Sequence, residues 1–225
     1  MNGFSDTHSD LPFAPVARFA PPIGLTTKRM IDIVLASFGI VLLAPLLIIC
    51  FLVTRASSRG PALFLHKRVG FHGKHFNCLK FRTMVADSSE RLRKHLESDH
   101  VAAAEWAAAQ KLHNDPRVTA VGAILRRSSL DELPQLFNVL KGDMSLVGPR
   151  PVTDEELVKY GRSVNAYLAC RPGITGLWQV SGRSRTTYQR RVECDNFYAR
   201  RWSLYLDIKI LIVTIPSILF SEGAY

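Results

Sequence analysis

The run Ile33-Val34-Leu35-Ala36-Ser37-Phe38-Gly39-Ile40-Val41-Leu42-Leu43-Ala44-Pro45-Leu46-Leu47-Ile48-Ile49-Cys50-Phe51-Leu52-Val53 holds 21 residues and no charge. Wound as a straight helix it would be about 30 Å long, enough to cross a bilayer. A helix buried in a soluble core seldom runs so far without a charge. Ala44-Pro45 falls near the middle, and proline removes one backbone hydrogen bond and kinks a helix. Lys28 and Arg29 flank one end, and Arg55, Arg59, Lys67 and Arg68 follow the other. Positive charge on both sides fits a re-entrant helix with both ends on the cytoplasmic face. A plain single span fits too, because spanning helices tolerate proline.

Ahead of this run, residues 1–27 hold Pro12, Pro15, Pro21 and Pro22 with little periodicity, and read as a flexible or extended leader. No secretory signal stands out there. Behind it, Pro61 to Met84 reads as a hairpin: Ala62 to Leu65, a basic turn-rich loop from Lys67 to Lys74, then Phe76 to Met84. Ser88 to about Leu112 is rich in Ala, Glu, Arg and Leu and predicts one helix, stopped by Asn114-Asp115-Pro116. His95, His100 and His113 have no metal-ligand partners at useful spacing and read as solvated. Thr153 to Leu168 and Tyr188 to Arg201 predict further helices. Between them, Arg171 to Arg183 is a glycine- and proline-punctuated loop whose backbone could approach a phosphate closely. Ile210 to Phe220 is too short to span. With Trp202, Tyr205 and Lys209 at its edge, it suits an amphipathic helix lying in the membrane interface. The fold class is α+β and mostly helical, with one small hairpin.

The chemistry concentrates in Ser128-Ser129-Leu130-Asp131-Glu132-Leu133-Pro134-Gln135-Leu136. Leu130, Leu133, Leu136, Phe137 and Leu140 recur at helical spacing. Ser129 and Glu132 fit a capping box, whereas Pro134 favours the first helical position and would leave Asp131 and Glu132 just ahead of the helix. Both arrangements put two carboxylates beside free backbone N–H groups. Acidic residues at such a place commonly do no more than cap. Here Arg126 and Arg127 lie just upstream, and Gly148-Pro149-Arg150-Pro151 lies within 20 residues downstream. Carboxylates, a rigid Gly-Pro turn and a guanidinium together make a plausible centre for metal-assisted phosphoryl chemistry.

Composition narrows the partners. Lys and Arg number 29 against 19 Asp and Glu, a net charge of +10, so the partner is anionic: nucleic acid, a phospholipid surface or a phosphorylated substrate. No nucleic-acid docking module or aromatic-basic interleaving is present, which argues against nucleic acid. Cys50, Cys78, Cys170 and Cys194 are scattered without a C-x-x-C pair, pointing to a reducing compartment.

In this order, several motifs resemble the bacterial sugar transferases of the monotopic phosphoglycosyl transferase family. They are Lys28 to Asp32, Lys80-Phe81-Arg82-Thr83-Met84, Asp115 to Thr119, Ser129 to Asn138, Gly148 to Pro151, Arg171 to Arg183 and Leu206-Asp207-Ile208-Lys209. Each is weak alone; their sequence together is specific. The likeness is greatest to the galactose-1-phosphate transferases that start exopolysaccharide repeats, and extends to the Ser221-Glu222-Gly223-Ala224-Tyr225 ending. The resemblance implies a re-entrant membrane helix over 28–55 and a catalytic domain over 56–225, on the cytoplasmic face of the bacterial inner membrane. The implied reaction moves a sugar 1-phosphate, galactose or glucose, from a UDP-sugar to a polyprenyl phosphate such as undecaprenyl phosphate, releasing UMP. It implies Asp131 as nucleophile and Glu132 as the Mg²⁺ ligand. Lys80, Arg150 and Arg183 would stand around phosphates, with Asp195 and Asp207 as supporting acids and Pro45 at the helix break. The family usually has Ser-Pro at that break, where the hydroxyl can bond the freed backbone; Ala44-Pro45 departs from it. Membrane lipids are implied partners, and a homodimer is compatible with the chain. The rival reading, a membrane-anchored scaffold of polysaccharide assembly without catalysis, differs in one respect: it would tolerate Asp131→Asn.

Overall fold

A computed structural model of the protein describes residues 25–109, 112–181 and 187–219. The leader expected over 1–27 and the C-terminal pentapeptide lie almost wholly outside the described residues, and so does Arg183. Helix α1 (Leu25–Ser57) runs unbroken through Pro45. Lys28, Asp32, Ala36, Leu47, Cys50 and Thr54 are buried along one face, while Val34, Phe38, Val41, Ile48, Ile49 and Leu52 are exposed on the rest. The buried positions recur every three or four residues, or multiples of that, so one stripe of α1 lies on the domain over its whole length. By length and composition α1 can also cross a membrane.

Two strands, β1 (Leu63–Val69) and β2 (His75–Phe81), form the expected antiparallel hairpin, with Leu63 opposite Phe81 and Val69 opposite His75. The first strand is longer than its sequence suggests and takes in Lys67 and Arg68. The cause is Val69, which is buried and donates its N–H to the Val152 carbonyl at 2.9 Å, anchoring the strand end in the core. The turn is therefore only Gly70 to Lys74, with His72 at φ 54° and Gly73 at φ 77°.

The single helix expected from Ser88 is two, α2 (Ser88–Ser98) and α3 (His100–Ala109). Asp99 sits between them in extended backbone, and its carboxylate accepts from the N–H groups of Val101 and Ala102 at 2.9 and 3.0 Å. A local side-chain bond has outcompeted the helix ladder. The helix expected over Thr153–Leu168 is likewise split, into α6 (Asp154–Val158) and α7 (Val164–Leu168), at Gly161 with φ 49°.

Between these lie α4 (Ala120–Arg127), a 3-10 turn at Leu130–Glu132, and α5 (Gln135–Lys141). Strand β3 (Ser145–Val147) pairs in parallel with β4 (Gly173–Thr175). The Arg171 loop thus contains a strand and a short helix, α8 (Leu177–Val180). Helix α9 (Tyr188–Arg201) has the expected bounds, and α10 (Leu204–Leu219) follows, burying Asp207 and Ile210 and exposing Tyr205, Ile208, Ile212 and Ile215.

Three polar ties hold α1 and α5 in place. Arg29 donates to the carbonyls of Val139 and Leu140, the free end of α5. Asp32 accepts from the Leu146 N–H at 3.0 Å. Buried Asn138 accepts from Leu79 N–H at 2.9 Å and donates to the Asn77 carbonyl at 2.8 Å, clamping α5 to β2.

Candidate active site

The turn bearing Asp131 and Glu132 is made by a conflict between two helices over Ser129. This residue adopts left-handed backbone, φ 56° and ψ 16°, and its N–H bonds the Arg126 carbonyl at 3.1 Å. It closes α4 rather than opening the next helix, a use of left-handed residues common at helix ends. The capping box with Glu132 is not formed. Helix α5 begins at Gln135 with Pro134 as its cap, so the two carboxylates stand ahead of it on the 3-10 turn.

Freed from capping, Glu132 reaches across to β2, where Lys80 donates to its Oε1 at 2.6 Å. Both side chains remain about a quarter exposed, at 25% and 27%. Asp131 points inward and is only 9% exposed. Burial, reinforced by the Glu132 charge and opposed by Lys80 and Arg126, pushes its carboxyl up to about 6. Arg126 is oriented by Nε donating to Thr83 Oγ1 at 2.9 Å. That contact is built by the Asp115–Thr119 motif: Arg117 pairs with Asp115 at 2.6 Å, Thr119 bonds the Thr83 carbonyl, and Thr119 Oγ1 caps α4. Gly122 is obligatory there, since a Cβ would stand 2.0 Å from the Thr83 oxygen.

Further cations converge from β1, the Gly148–Pro151 turn and α9. Arg68 pairs with Glu156 at 2.8 Å and donates to Nδ1 of His66 at 3.2 Å. Burial and then the Arg68 and Lys80 charges lower the His66 pKa, so His66 is a neutral acceptor at pH 7. Arg150 lies within electrostatic reach of His66 and of Cys78, the latter shared with Lys80 and Glu132. Cys78 itself is driven up to about 11 by burial and is inert as a nucleophile. On its other side Arg150 covers the Trp178 ring at 5.5 Å. Asp195 is buried nearby, accepts from Tyr160 OH at 2.7 Å, and is raised by burial to about 7.

Asp207 is elsewhere. Its carboxylate accepts from Lys28 at 2.6 Å, Tyr198 at 2.7 Å and Trp202 at 3.0 Å. Lys28 opens α1, whereas Leu130 and Leu133 of the Asp131 turn pack near Leu47 and Cys50 in its second half. Some twenty helical residues separate the two contacts, roughly 25–30 Å along the axis. Asp207 is a structural tie, not a member of the Asp131 cluster. Lys80 and Glu132 are brought together with Asp131, and Arg150 shares the surroundings of Cys78 with Lys80 and Glu132; Arg183 lies outside the described residues. Sequence reasoning noted Arg126 only as a charge upstream of the turn and Arg68 only as a charge flanking the apolar helix, and it did not single out Arg191; the signal was only that charges recur on these elements.

The family model for bacterial sugar transferases matches residues 23–221. The chain belongs to the bacterial sugar transferase family. It is 52% identical over 199 residues to an undecaprenyl-phosphate galactose phosphotransferase of Salmonella typhimurium, covering 88% of this chain and 41% of that protein. Over 204 residues it is 46% identical to the exopolysaccharide production protein ExoY of Rhizobium meliloti, covering 91% and 90%. Another relative, the UDP-glucose:undecaprenyl-phosphate glucose-1-phosphate transferase of Caulobacter vibrioides, is 41% identical over 222 residues, covering 95% and 76%. This bacterial sugar transferase thus spans about two fifths of the length of some relatives, 42% of one from Haemophilus influenzae and 41% of the Salmonella protein.

Proposed function

We propose that the chain is an enzyme that transfers a sugar 1-phosphate, galactose first and glucose second, from a UDP-sugar to undecaprenyl phosphate. The products are an undecaprenyl diphosphate sugar and UMP, in the opening membrane step of exopolysaccharide assembly. The observation that carries this is a buried carboxylate, Asp131, with Lys80 and Arg126 within electrostatic reach.

Asp131 attacks the sugar-bearing phosphorus. A new bond forms from its oxygen to phosphorus, and the bond to the bridging oxygen breaks, releasing UMP. The lipid phosphate oxygen then attacks the same phosphorus and returns the aspartate as carboxylate. Splitting the transfer in two lowers each barrier. Lys80 and Arg150 offset the repulsion between an anionic nucleophile and an anionic diphosphate. A carboxyl at about 6 is ionised at pH 7 yet more basic than an ordinary aspartate. Among the described residues no three His, Cys, Asp or Glu gather into a cage. Mg²⁺ does not need one: it keeps several waters and takes one or two carboxylates together with substrate phosphates. Glu132, part-exposed beside the nucleophile, fits as its protein ligand. When bound, the ion would neutralise charge on the diphosphate.

Membrane seating follows from α1. Its buried stripe, from Lys28 to Thr54, rests on one and the same domain. A bilayer core about 30 Å thick cannot stand between the two ends of that stripe, which supports re-entry over a plain span. The exposed faces of α1 and α10 then enter the cytoplasmic leaflet of the inner membrane, with membrane lipids as partners.

The test is UMP release by the detergent-purified chain with Mg²⁺, undecaprenyl phosphate, and UDP-galactose or UDP-glucose in parallel. Release that depends on one donor and is lost in Asp131→Asn supports the reading. Sustained release from Asp131→Asn contradicts it.

A further inference from the structure

Trp178 is buried between two guanidiniums. Arg191 of α9 lies 4.2 Å from its ring centroid and Arg150 lies 5.5 Å away. Arg191 also covers the Tyr188 ring at 5.4 Å. Two like charges held on one indole repel each other, and stacking recovers only part of that cost. Neither Arg150 nor Arg191 makes an ion pair among the described residues, although Arg68 beside them is neutralised by Glu156. Nε of Arg191 and Nε1 of Trp178 are both buried donors without an acceptor among the described residues. A buried donor left without a partner is costly, because it has given up its hydrogen bond to water. Two acids lie within electrostatic reach: Glu156, which Arg68 holds, and Asp195, which Tyr160 engages and burial raises to about 7. Charge and donors are therefore both in surplus at one place.

We propose that Arg191, Trp178 and Arg150 form a subsite for a phosphate monoester dianion, with Arg191 as its principal ligand. Arg150 is common to this subsite and to the surroundings of Cys78 that Lys80 and Glu132 share. Two phosphate monoesters take part in the proposed reaction: the departing UMP and the arriving lipid phosphate. The inference rests on that reading for its biological ligand but not for its chemistry.

The experiment is equilibrium binding by the full chain in detergent of two probes, UMP and farnesyl phosphate, without donor sugar. Arg191→Met should weaken one or both by about 10- to 100-fold, the worth of a charge-assisted contact. Arg191→Lys, which keeps the charge but not the planar fork, should fall between. Arg190→Met, next in sequence and paired outward with Glu193, controls for folding and should bind as the unaltered chain does. Loss for UMP alone assigns the subsite to the leaving group, and loss for farnesyl phosphate alone assigns it to the acceptor. Unchanged binding of both probes in Arg191→Met, or equal weakening in Arg190→Met, overturns the proposal. Transfer by Asp131→Asn would instead overturn the proposed reaction, and leaves this binding result standing.

Discussion

Asp131 and Asp207 are both buried aspartates, at 9% and 5% exposure, and both face a lysine-bearing element. Asp207 receives three donors, from Lys28, Tyr198 and Trp202, and its charge is fully answered. Asp131 has no such set: its neighbour Glu132 has taken Lys80 at 2.6 Å, and burial raises its carboxyl to about 6. One aspartate is used to hold α1 to α10 and α9. The other is held at a cost to stability, as the nucleophile proposed above would be. The difference lies in what surrounds each carboxylate, since residue type and depth are nearly the same.

The largest effect should break the comparison outright. Asp131→Asn should lower transfer by at least about a thousandfold, as removal of a nucleophile does. The same change should raise stability at pH 8. Asp131 is raised from an ordinary 3.8 to about 6, so it favours folding below the unfolded value and loses that contribution as pH rises through about 6. Asparagine removes the ionised form, a gain of about 2–3 kcal/mol in denaturant unfolding at pH 8 and little at pH 4.

Asp207→Ala should do the reverse. It strands Lys28 in a buried site and should cost about 3–5 kcal/mol in the same unfolding measurement. Activity per folded molecule should persist. Pairing Lys28→Met with Asp207→Leu should recover part of the loss, because an apolar pair can replace a buried ion pair at little cost while Trp202 Nε1 still loses its acceptor.

Glu132→Gln sharpens the contrast from within the site. Transfer should fall by about 10- to 100-fold at limiting Mg²⁺, the range seen when support for a metal is removed, and recover in part as Mg²⁺ is raised. Full activity at limiting Mg²⁺ would argue against the metal role. The smallest effect is on pH dependence. Transfer by the unaltered chain should decline as pH falls through about 6. Glu132→Gln removes a charge that raises Asp131, so the decline should move to lower pH; Lys80→Met removes one that lowers it, so the decline should move to higher pH.

The same two aspartates mark how much was legible in the sequence. The length of α1, the hairpin and the bounds of α9 followed from charge-free length, alternation and helical spacing, signals that are local. The nearness of Lys80 to Asp131 and Glu132 was legible only through the family likeness. Asp207 was misplaced because its partner Lys28 lies 179 positions away, and nothing local distinguishes a buried aspartate from a solvated one in an amphipathic helix. Ser129 resembled an N-cap because its neighbours fit the pattern, but the end of α4 had prior use of it. The break at Asp99 turned on one side chain competing with the ladder. The pairing of β3 with β4 involves strands of three residues, too short to show a period. Nothing local sets Arg191 apart on α9; its place against the Trp178 ring is a tertiary contact.

The most direct test of Asp131 as nucleophile is intact-mass measurement of the chain after incubation with Mg²⁺ and UDP-sugar but no lipid phosphate. The account predicts a mass gain of one hexose phosphate, with UMP released in a single equivalent. The adduct should map to Asp131, be absent from Asp131→Asn, and disappear when undecaprenyl phosphate is added. Turnover with lipid present but no adduct at any time without it would contradict a covalent intermediate. The two carboxylates would then be left as binding groups for a direct transfer.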